Sequence, residues 1–455
     1  MLVAAEEVDK ISRSMSIWVN TFPESPVSLI RYEFLNIDKK TGDETAMALS
    51  TIQGTYITKQ FILGGYQAEY QFKLIYRIKP GDSVCITAGS RDVANIARVI
   101  RAICDQVKSV GAHPFIIPAM GSHAGAKAEG QRGIIEGYGV TEEAMGAPIR
   151  ASMDTEVIAH SKSGLEIHLD KFANAADFLI PVGRIKAHTD FRGEVESGIC
   201  KMLVIGMGKQ HGAYQCHKLG FKSMAANVKE FAGAIIEKKP NMFAIGLIEN
   251  AYHQTCRIEA IPAGRILAEE PPLLEYAKSR MAKVPFDQAD ILFVDETGKD
   301  ISGAGMDPNV TGRSPVLGIS RPFFQRIAVF DLTDKSHGNF GGLGSADVTT
   351  QRLYRKIDFE QTYPNGITAA EPLAVRLPAV MPSDRTAMQF ALRTATDCDW
   401  EKGPRIVWLK NTLSLSEFYI SEALIPDAEA LDNVTIVSEP MEVIFDEEGN
   451  VKELR

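Results

Sequence analysis

The chain has 455 residues, too many for one ordinary core, so two or three domains are expected. With 45% hydrophobic and 24% charged residues its composition is globular, and a net charge of −9 offers no basic excess to displace counterions, which excludes nucleic acid as a partner. No apolar run approaches the roughly 18 residues of a membrane helix, and the opening "MLVAAEEVDK" carries acids where a signal peptide carries bases. Six cysteines without a CxxC pair fit a reducing cytoplasm rather than a disulfide framework. A cytoplasmic protein with no membrane partner is the expectation.

Residues 1–78 differ in pattern from the rest of the chain. "SIWVNTFPESPVSLIRYEFL" and "MALSTIQGTYITKQFILGGYQAEYQFKLIYRIKP" are rich in aromatic and β-branched residues, with alternation in "YQAEYQFKLIYRI". They predict a helix followed by an antiparallel β-meander. From Pro80 the grammar changes to "DSVCITAG", an apolar strand, then "RDVANIARVIRAICDQVKSVG", apolar at helical spacing with Gly111 as a stop. "HPFIIPAMG" is a strand and "AEGQRGIIEGYG" a helix, and "ADFLIPVG", "MFAIGLIEN", "ADILFVDE" and "RIAVFDL" repeat the theme. "PPLLEYAKSRMAKV" reads as a helix between strands, and "RIVWLK" and "VTIVSEPMEVIFDEEG" continue to the C-terminus. Alternating strands and helices with nearly continuous apolar strands predict two α/β domains with mostly parallel sheets. "EEPPLL" at residues 269–274 suggests a boundary, giving segments 1–78, 79–268 and 269–455.

Ligands of open parallel sheets bind beyond the carboxyl ends of the strands. There the sequence places Ser90 and Arg91, then His123, then His188, then Tyr252 and His253, then Lys299, then His337. The densest stretch is "RIKAHTDFRGEVESGICKMLVIGMGKQHGAYQCH", residues 184–217, with three histidines, two cysteines and five lysines or arginines. It is not a phosphate-binding P-loop, because Gln210 follows Lys209 and Leu203 stands where the first glycine belongs. It lacks the closely spaced ligand pairs of a conventional zinc site, so a metal-dependent hydrolase is a weaker alternative. Asp190, Glu194 and Glu196 read as a solvated acidic loop rather than a magnesium site. Cys200 and Cys216 read as small buried hydrophobes. His113, His160 and His168 read as structural or solvated.

"GSRDVANI", "PFIIPAMGSHAGAKAEGQ", the stretch 184–217 and "ETGKDISGAGMDPNVTGR" resemble the nickel-dependent lactate racemase family, from about residue 79 to the C-terminus. The resemblance implies a nickel-pincer nucleotide, a pyridinium-3-thioamide-5-thiocarboxylic acid mononucleotide that grips nickel through carbon and two sulfurs, supplied by cofactor-synthesis enzymes. Lys201 matches the lysine that tethers it, and His217, sixteen residues on, the fourth nickel ligand; His211 is the competing candidate. His123 and His188 match the two bases flanking the substrate, Arg91 the carboxylate holder, and Lys299 a second-domain lysine that closes over it, with Glu296 where some members carry glutamine. Ser90, Gly208 and Lys209 fall where backbone N–H groups and positive charge would meet the nucleotide and its phosphate. Ala88 stands where some members have an acid, and the interval from His188 to Lys201 is longer than in the lactate enzyme.

The expected activity is racemisation or epimerisation of a small 2-hydroxy carboxylic acid. Its α-hydrogen is too tightly held for a side-chain base, since the neighbouring carboxylate is already charged, and leaving as hydride avoids a dianion. A histidine then takes the hydroxyl proton, and inversion asks for one base on each face. Residues 1–78 resemble instead a tail or minor-capsid protein of siphoviruses and prophages, through "WVNTFPESPVSLIRYEFL" and "TYITKQFILGGYQAEYQFKLIYRIKP". That makes a non-enzymatic assembly protein carrying an inactive racemase-like domain the rival expectation.

Overall fold

The computed structural model describes residues 15–20, 77–90, 93–314, 321–369 and 371–454. These fall into two compact units, one of residues 77–188 and 192–281, the other of residues 15–20, 189–191 and 282–454. Arg91 lies outside the described residues. So does nearly all of the helix and meander expected for residues 1–78; what is described there is strand β1, Met15–Asn20, and residues 77–78.

In the first unit the apolar runs become parallel strands. β2 (Ser83–Ala88) lies between β3 (His113–Pro118) and β6 (Phe178–Ile180), parallel to both. A hairpin absent from the sequence-based expectation, β4 (Thr155–His160) and β5 (Glu166–Asp170), follows β3 in the chain. β7 (Val182–Arg184) pairs parallel with β8 (Phe243–Glu249), which pairs antiparallel with β9 (Thr255–Pro262). The sequence reads "ADFLIPVG" as one strand, but Pro181 divides it, since proline has no N–H to give to a ladder. The side chain of Thr87 splices the break: its hydroxyl accepts from Val182 N at 2.8 Å and donates to Val182 O at 3.2 Å.

Helix α1 (Ile96–Ser109) buries Ile96, Val99, Ile100, Ile103 and Val107, the three- and four-residue spacing of one helical face. They pack with Ile86, Ile116 and Ile180 of the sheet. Full burial of each such side chain is worth about 2 kcal/mol, so packing rather than propensity holds the helix. Helices α2 (Ala128–Gly137), α3 (Lys209–His217), α4 (Phe221–Lys238) and α5 (Ile266–Arg280) complete the unit. α5 runs through Pro271 and Pro272, which the sequence offers as a boundary; its buried face of Ile266, Leu273, Leu274 and Ala277 carries it across them.

The second unit is built on parallel strands in the order β13 (Ala379–Met381), β12 (Val348–Thr350), β11 (Phe323–Leu332), β10 (Gln288–Thr297) and β14 (Ile406–Leu409). Antiparallel β15 (Glu417–Ser421), β1 and β16 (Thr435–Ile436) extend it. β17 (Val443–Phe445) and β18 (Val451–Leu454) form a separate hairpin. Helix α6 (Asp384–Thr394), opened by a capping box of Ser383 and Thr386, buries Ala387, Met388 and Ala391 with Ile291, Phe293, Phe330 and Trp408. The fold class is therefore α/β with mostly parallel sheets, as the alternating pattern predicts. Among the described residues no helix is long and apolar enough to cross a membrane.

At the top of that second core, Trp408 Nε1 donates to Asp295 Oδ1 at 2.6 Å. Burial, reinforced by the charges of Asp384 and Glu296, pushes the Asp295 carboxyl up to about 6. The folded chain thus holds this proton more tightly than an unfolded chain with the ordinary value of 3.8, so the ionised carboxylate weighs against folding as pH rises past 3.8, and fully above about 6. Asp295→Asn keeps an acceptor for the indole. It is expected to raise the thermal unfolding midpoint more at about pH 7.5 than at about pH 4.5; an equal gain at both would show that charge burial is not the cause.

Candidate functional site

Three strands of the first unit deliver the candidate residues. Ser90 lies two residues beyond β2, and His123 opens a short turn after β3. Ser90 Oγ and His123 Nδ1 are 2.5 Å apart. The turn after His123 is strained, since Ala124, Gly125 and Ala126 have φ of 55°, 63° and 54°. A left-handed conformation costs an L-residue about 1–2 kcal/mol, and buried Gln131 of α2 steadies this one by donating to Gly121 O at 2.8 Å and His123 O at 3.3 Å.

His188 follows β7 and is buried. Its loop is pinned from beneath by Glu196, which the sequence reads as part of a solvated acidic loop. The structure overturns that reading. Glu196 is fully buried, and it accepts from His188 N at 2.7 Å and from Lys278 Nζ at 2.9 Å, with Arg192 at 3.5 Å. Burying a carboxylate is costly unless partners surround it, and here a backbone amide and two cations do. Glu194, by contrast, is exposed and paired with Lys229.

Lys201 meets His188 directly, with Nζ 2.5 Å from Nε2. An ammonium can only donate, so the Nε2 of a neutral His188 accepts. Burial first, then the charges of Lys201, His217, Lys186 and Arg192, hold His188 well below its ordinary 6.5.

The backbone carrying Lys201 is irregular. A helical turn at Ile199–Lys201 passes into a π-turn at Met202–Gly206, and then into α3. Such π segments concentrate at functional sites. The turn starts at Gly198, where a Cβ would lie 2.0 Å from Glu270 Oε1. Glu270, on α5, is fully buried and accepts from Cys200 N at 2.8 Å; burial pushes its carboxyl up. At Gly208 a Cβ would lie 2.1 Å from Val204 O, so the π-turn can fold back onto α3 only over a glycine.

At the end of α3, His217 Nδ1 lies 2.6 Å from Ala213 O. The carbonyl can only accept, so Nδ1 carries the proton and Nε2 presents a lone pair, the arrangement usual for a metal-binding histidine. His211, the competing candidate, is stacked on His168 at 5.6 Å, and His168 Nε2 is 3.0 Å from Glu166. Lys209, expected to lend its charge to a cofactor phosphate, has its ammonium fully buried between Pro118 O and Asp170, the latter at 3.2 Å. Cys200 and Cys216 are buried, and burial pushes the Cys216 thiol up to about 12. Among the described residues, no three or more His, Cys, Asp or Glu side chains converge to hold a metal ion.

The remaining expectations fall elsewhere. Tyr252 and His253 lie in the turn closed by Asn250 and Gln254, with His253 at φ 58°. Lys299 belongs to the second unit, where its Nζ donates to Gly303 O at 2.7 Å and its amide to Ser336 Oγ at 2.9 Å. There too, Glu296 accepts from Asn411 at 2.9 Å. Glu196, Glu270 and Gln131 give no sign of their supporting roles in the sequence, because their partners are distant in the chain or are backbone groups.

No protein-family model and no curated protein matches the chain. Among solved structures it is similar to the lactate racemase apoprotein from Thermoanaerobacterium thermosaccharolyticum, at 15% identity and a TM-score of 0.48, over 75% of this chain and 88% of that one. It is also similar to a protein from Thermotoga maritima, at 11% identity and a TM-score of 0.40, over 74% and 85% of the two chains.

Two outcomes test this geometry. Gly198→Ala drives a methyl into Glu270 and is expected to cost about 2 kcal/mol or more in urea unfolding, the scale of overpacking beside a buried polar group. The second concerns His188, whose folded value is depressed, so the unfolded chain binds the extra proton and stability falls as pH drops through 6.5. His188→Gln is expected to flatten that decline between about pH 7.5 and pH 5.5. A parallel decline in both proteins would place the acid sensitivity elsewhere.

Proposed function

We propose that the chain is a racemase or epimerase of a small 2-hydroxy carboxylic acid that uses a nickel-pincer nucleotide. The observation that carries this reading is the contact of His188 with Lys201, with the positive charges of Lys186, Arg192 and His217 close enough to contribute. Such a cluster calls for an anionic ligand. The sequence motifs that resemble those of the nickel-dependent racemases supply the kind of ligand.

The residues present fit the cofactor. Lys201 would tether it, and His217 would ligate nickel through Nε2, its Nδ1 being held by Ala213 O. A pincer nucleotide brings three donor atoms of its own, so a single protein ligand completes the metal's surroundings. When bound, it supplies a site that accepts and returns hydride. The chain's own residues do the rest. With Lys201 Nζ taken up in the tether, the ammonium that sits on His188 Nε2 would be gone, and that nitrogen would be left to take a substrate hydroxyl proton. Held neutral by burial and neighbouring cations, His188 is ready to accept. His123, exposed at its loop tip, is the second base. Arg91 would bind the substrate carboxylate through its two-pronged guanidinium, and the resemblance makes Lys299 a further cation for the substrate.

The test is single-turnover oxidation of pure enantiomers of lactate, malate, phenyllactate and sugar acids, with keto acid trapped, on chain made alongside the cofactor-synthesis enzymes. Loss of either histidine is expected to slow racemisation by roughly 10²-fold or more. Each single variant should still oxidise the enantiomer whose hydroxyl faces the surviving histidine, so His123→Ala and His188→Ala should show opposite handedness. Arg91→Ala should weaken both hands together. Two histidine variants that oxidise the same enantiomer would end the two-base assignment, and no turnover of any hydroxy acid by loaded protein would end the racemase reading.

A further inference from the structure

We infer that Ser90 is a positioning residue for His123: its hydroxyl accepts the Nδ1–H and so fixes the tautomer that presents Nε2 as a base. The inference rests on the reading of His123 as a base and adds a residue that this reading does not itself require.

The geometry is a 2.5 Å contact between Ser90 Oγ and His123 Nδ1, and both ends of it are anchored from below. Ser90 follows β2 closely, and its carbonyl accepts from Tyr138 OH at 2.8 Å. On the other side, the His123 amide donates to Met120 O at 3.3 Å, and its carbonyl is held by buried Gln131. The imidazole is exposed, and Ser90 engages its Nδ1.

A hydroxyl can donate as well as accept, and the two directions give opposite chemistry. If Ser90 donates to Nδ1, the neutral ring carries its proton on Nε2 and faces a ligand as a donor. If Nδ1–H donates to Ser90, Nε2 is the acceptor. A base passes in each cycle between neutral imidazole and imidazolium, and the cation has N–H on both nitrogens. Only Nδ1–H to Oγ persists through both states. The opposite direction would require the hydroxyl to turn over at every proton transfer, against a backbone fixed on both sides. The serine proton then goes to solvent, which reaches its half-buried side chain.

The experiment uses the full chain with histidine-selective 15N labelling, the ring of His123 being assigned by loss of its signals in His123→Gln. Two-bond correlations from the ring carbon protons report which nitrogen is protonated once pH has been raised until the ring is neutral. The parent is expected to show Nδ1–H with an unprotonated Nε2. Ser90→Ala should shift the ring toward Nε2–H, and Ser90→Thr, which restores the hydroxyl, should return it to the parental tautomer. In cofactor-loaded protein, Ser90→Ala should lower kcat by about fivefold to tenfold, the scale of one hydrogen bond, with little change in KM and recovery in Ser90→Thr. An Nε2–H tautomer in the parent overturns the inference, and so does a Ser90→Ala spectrum identical to the parent's. If Ser90→Ala does not fold, the parent and Ser90→Thr spectra still decide. Since the spectra need neither cofactor nor substrate, an Nδ1–H parent that racemises nothing would uphold Ser90's role while ending the proposed function.

Discussion

The first unit depends on one electrostatic constraint: a buried imidazole and an ammonium in contact, His188 on Lys201, with Lys186, Arg192 and His217 adding further positive charge. Left to itself, such a grouping would push its members apart. It persists because His188 surrenders its proton and because the backbone beneath both residues is held by groups that cannot move with them.

Those groups are carboxylates. Glu196 ties the His188 amide to Lys278, Glu270 holds the first turn of the Lys201 segment by the Cys200 amide, and Asp170 pairs with Lys209 while capping the short helix Lys171–Ala175. All three are buried, and each is engaged by a backbone amide or by a lysine that points inward. Glu196, Glu270 and Asp170 thus brace the frame that carries Lys201, His188 and His217. Glycines make the arrangement possible, because Gly198 and Gly208 let Glu270 and Val204 O approach the segment more closely than any side chain would allow.

Much of this was legible in the sequence. Continuous apolar runs such as "SVCITA" and "FAIGLIE" give the parallel strands, and their carboxyl ends give Ser90, His123 and His188. What could not be read has physical reasons. A π-turn shifts backbone hydrogen bonds by one residue without changing residue type, so "MLVIG" looks like ordinary apolar helix. Acids in a polar stretch read as solvated, and Glu196 is buried only because α5 brings Lys278 to it. Glu270 finds its partner 70 residues back along the chain. Lys209, between glycine and glutamine, reads as a phosphate contact until the fold lays Asp170 beside it. The αL turn at Ala124–Ala126 carries one glycine among two alanines, too faint a signal for a left-handed stretch.

The central claim is that Lys201 and its surroundings are built to take an anionic nickel nucleotide. The most direct measurement is peptide mass spectrometry with metal analysis on the full chain, produced together with cofactor-synthesis enzymes that demonstrably load a control protein. The account requires added mass on the peptide containing Lys201 and nickel approaching equimolar amounts. An unmodified Lys201 in chain made beside a fully loaded control would contradict it.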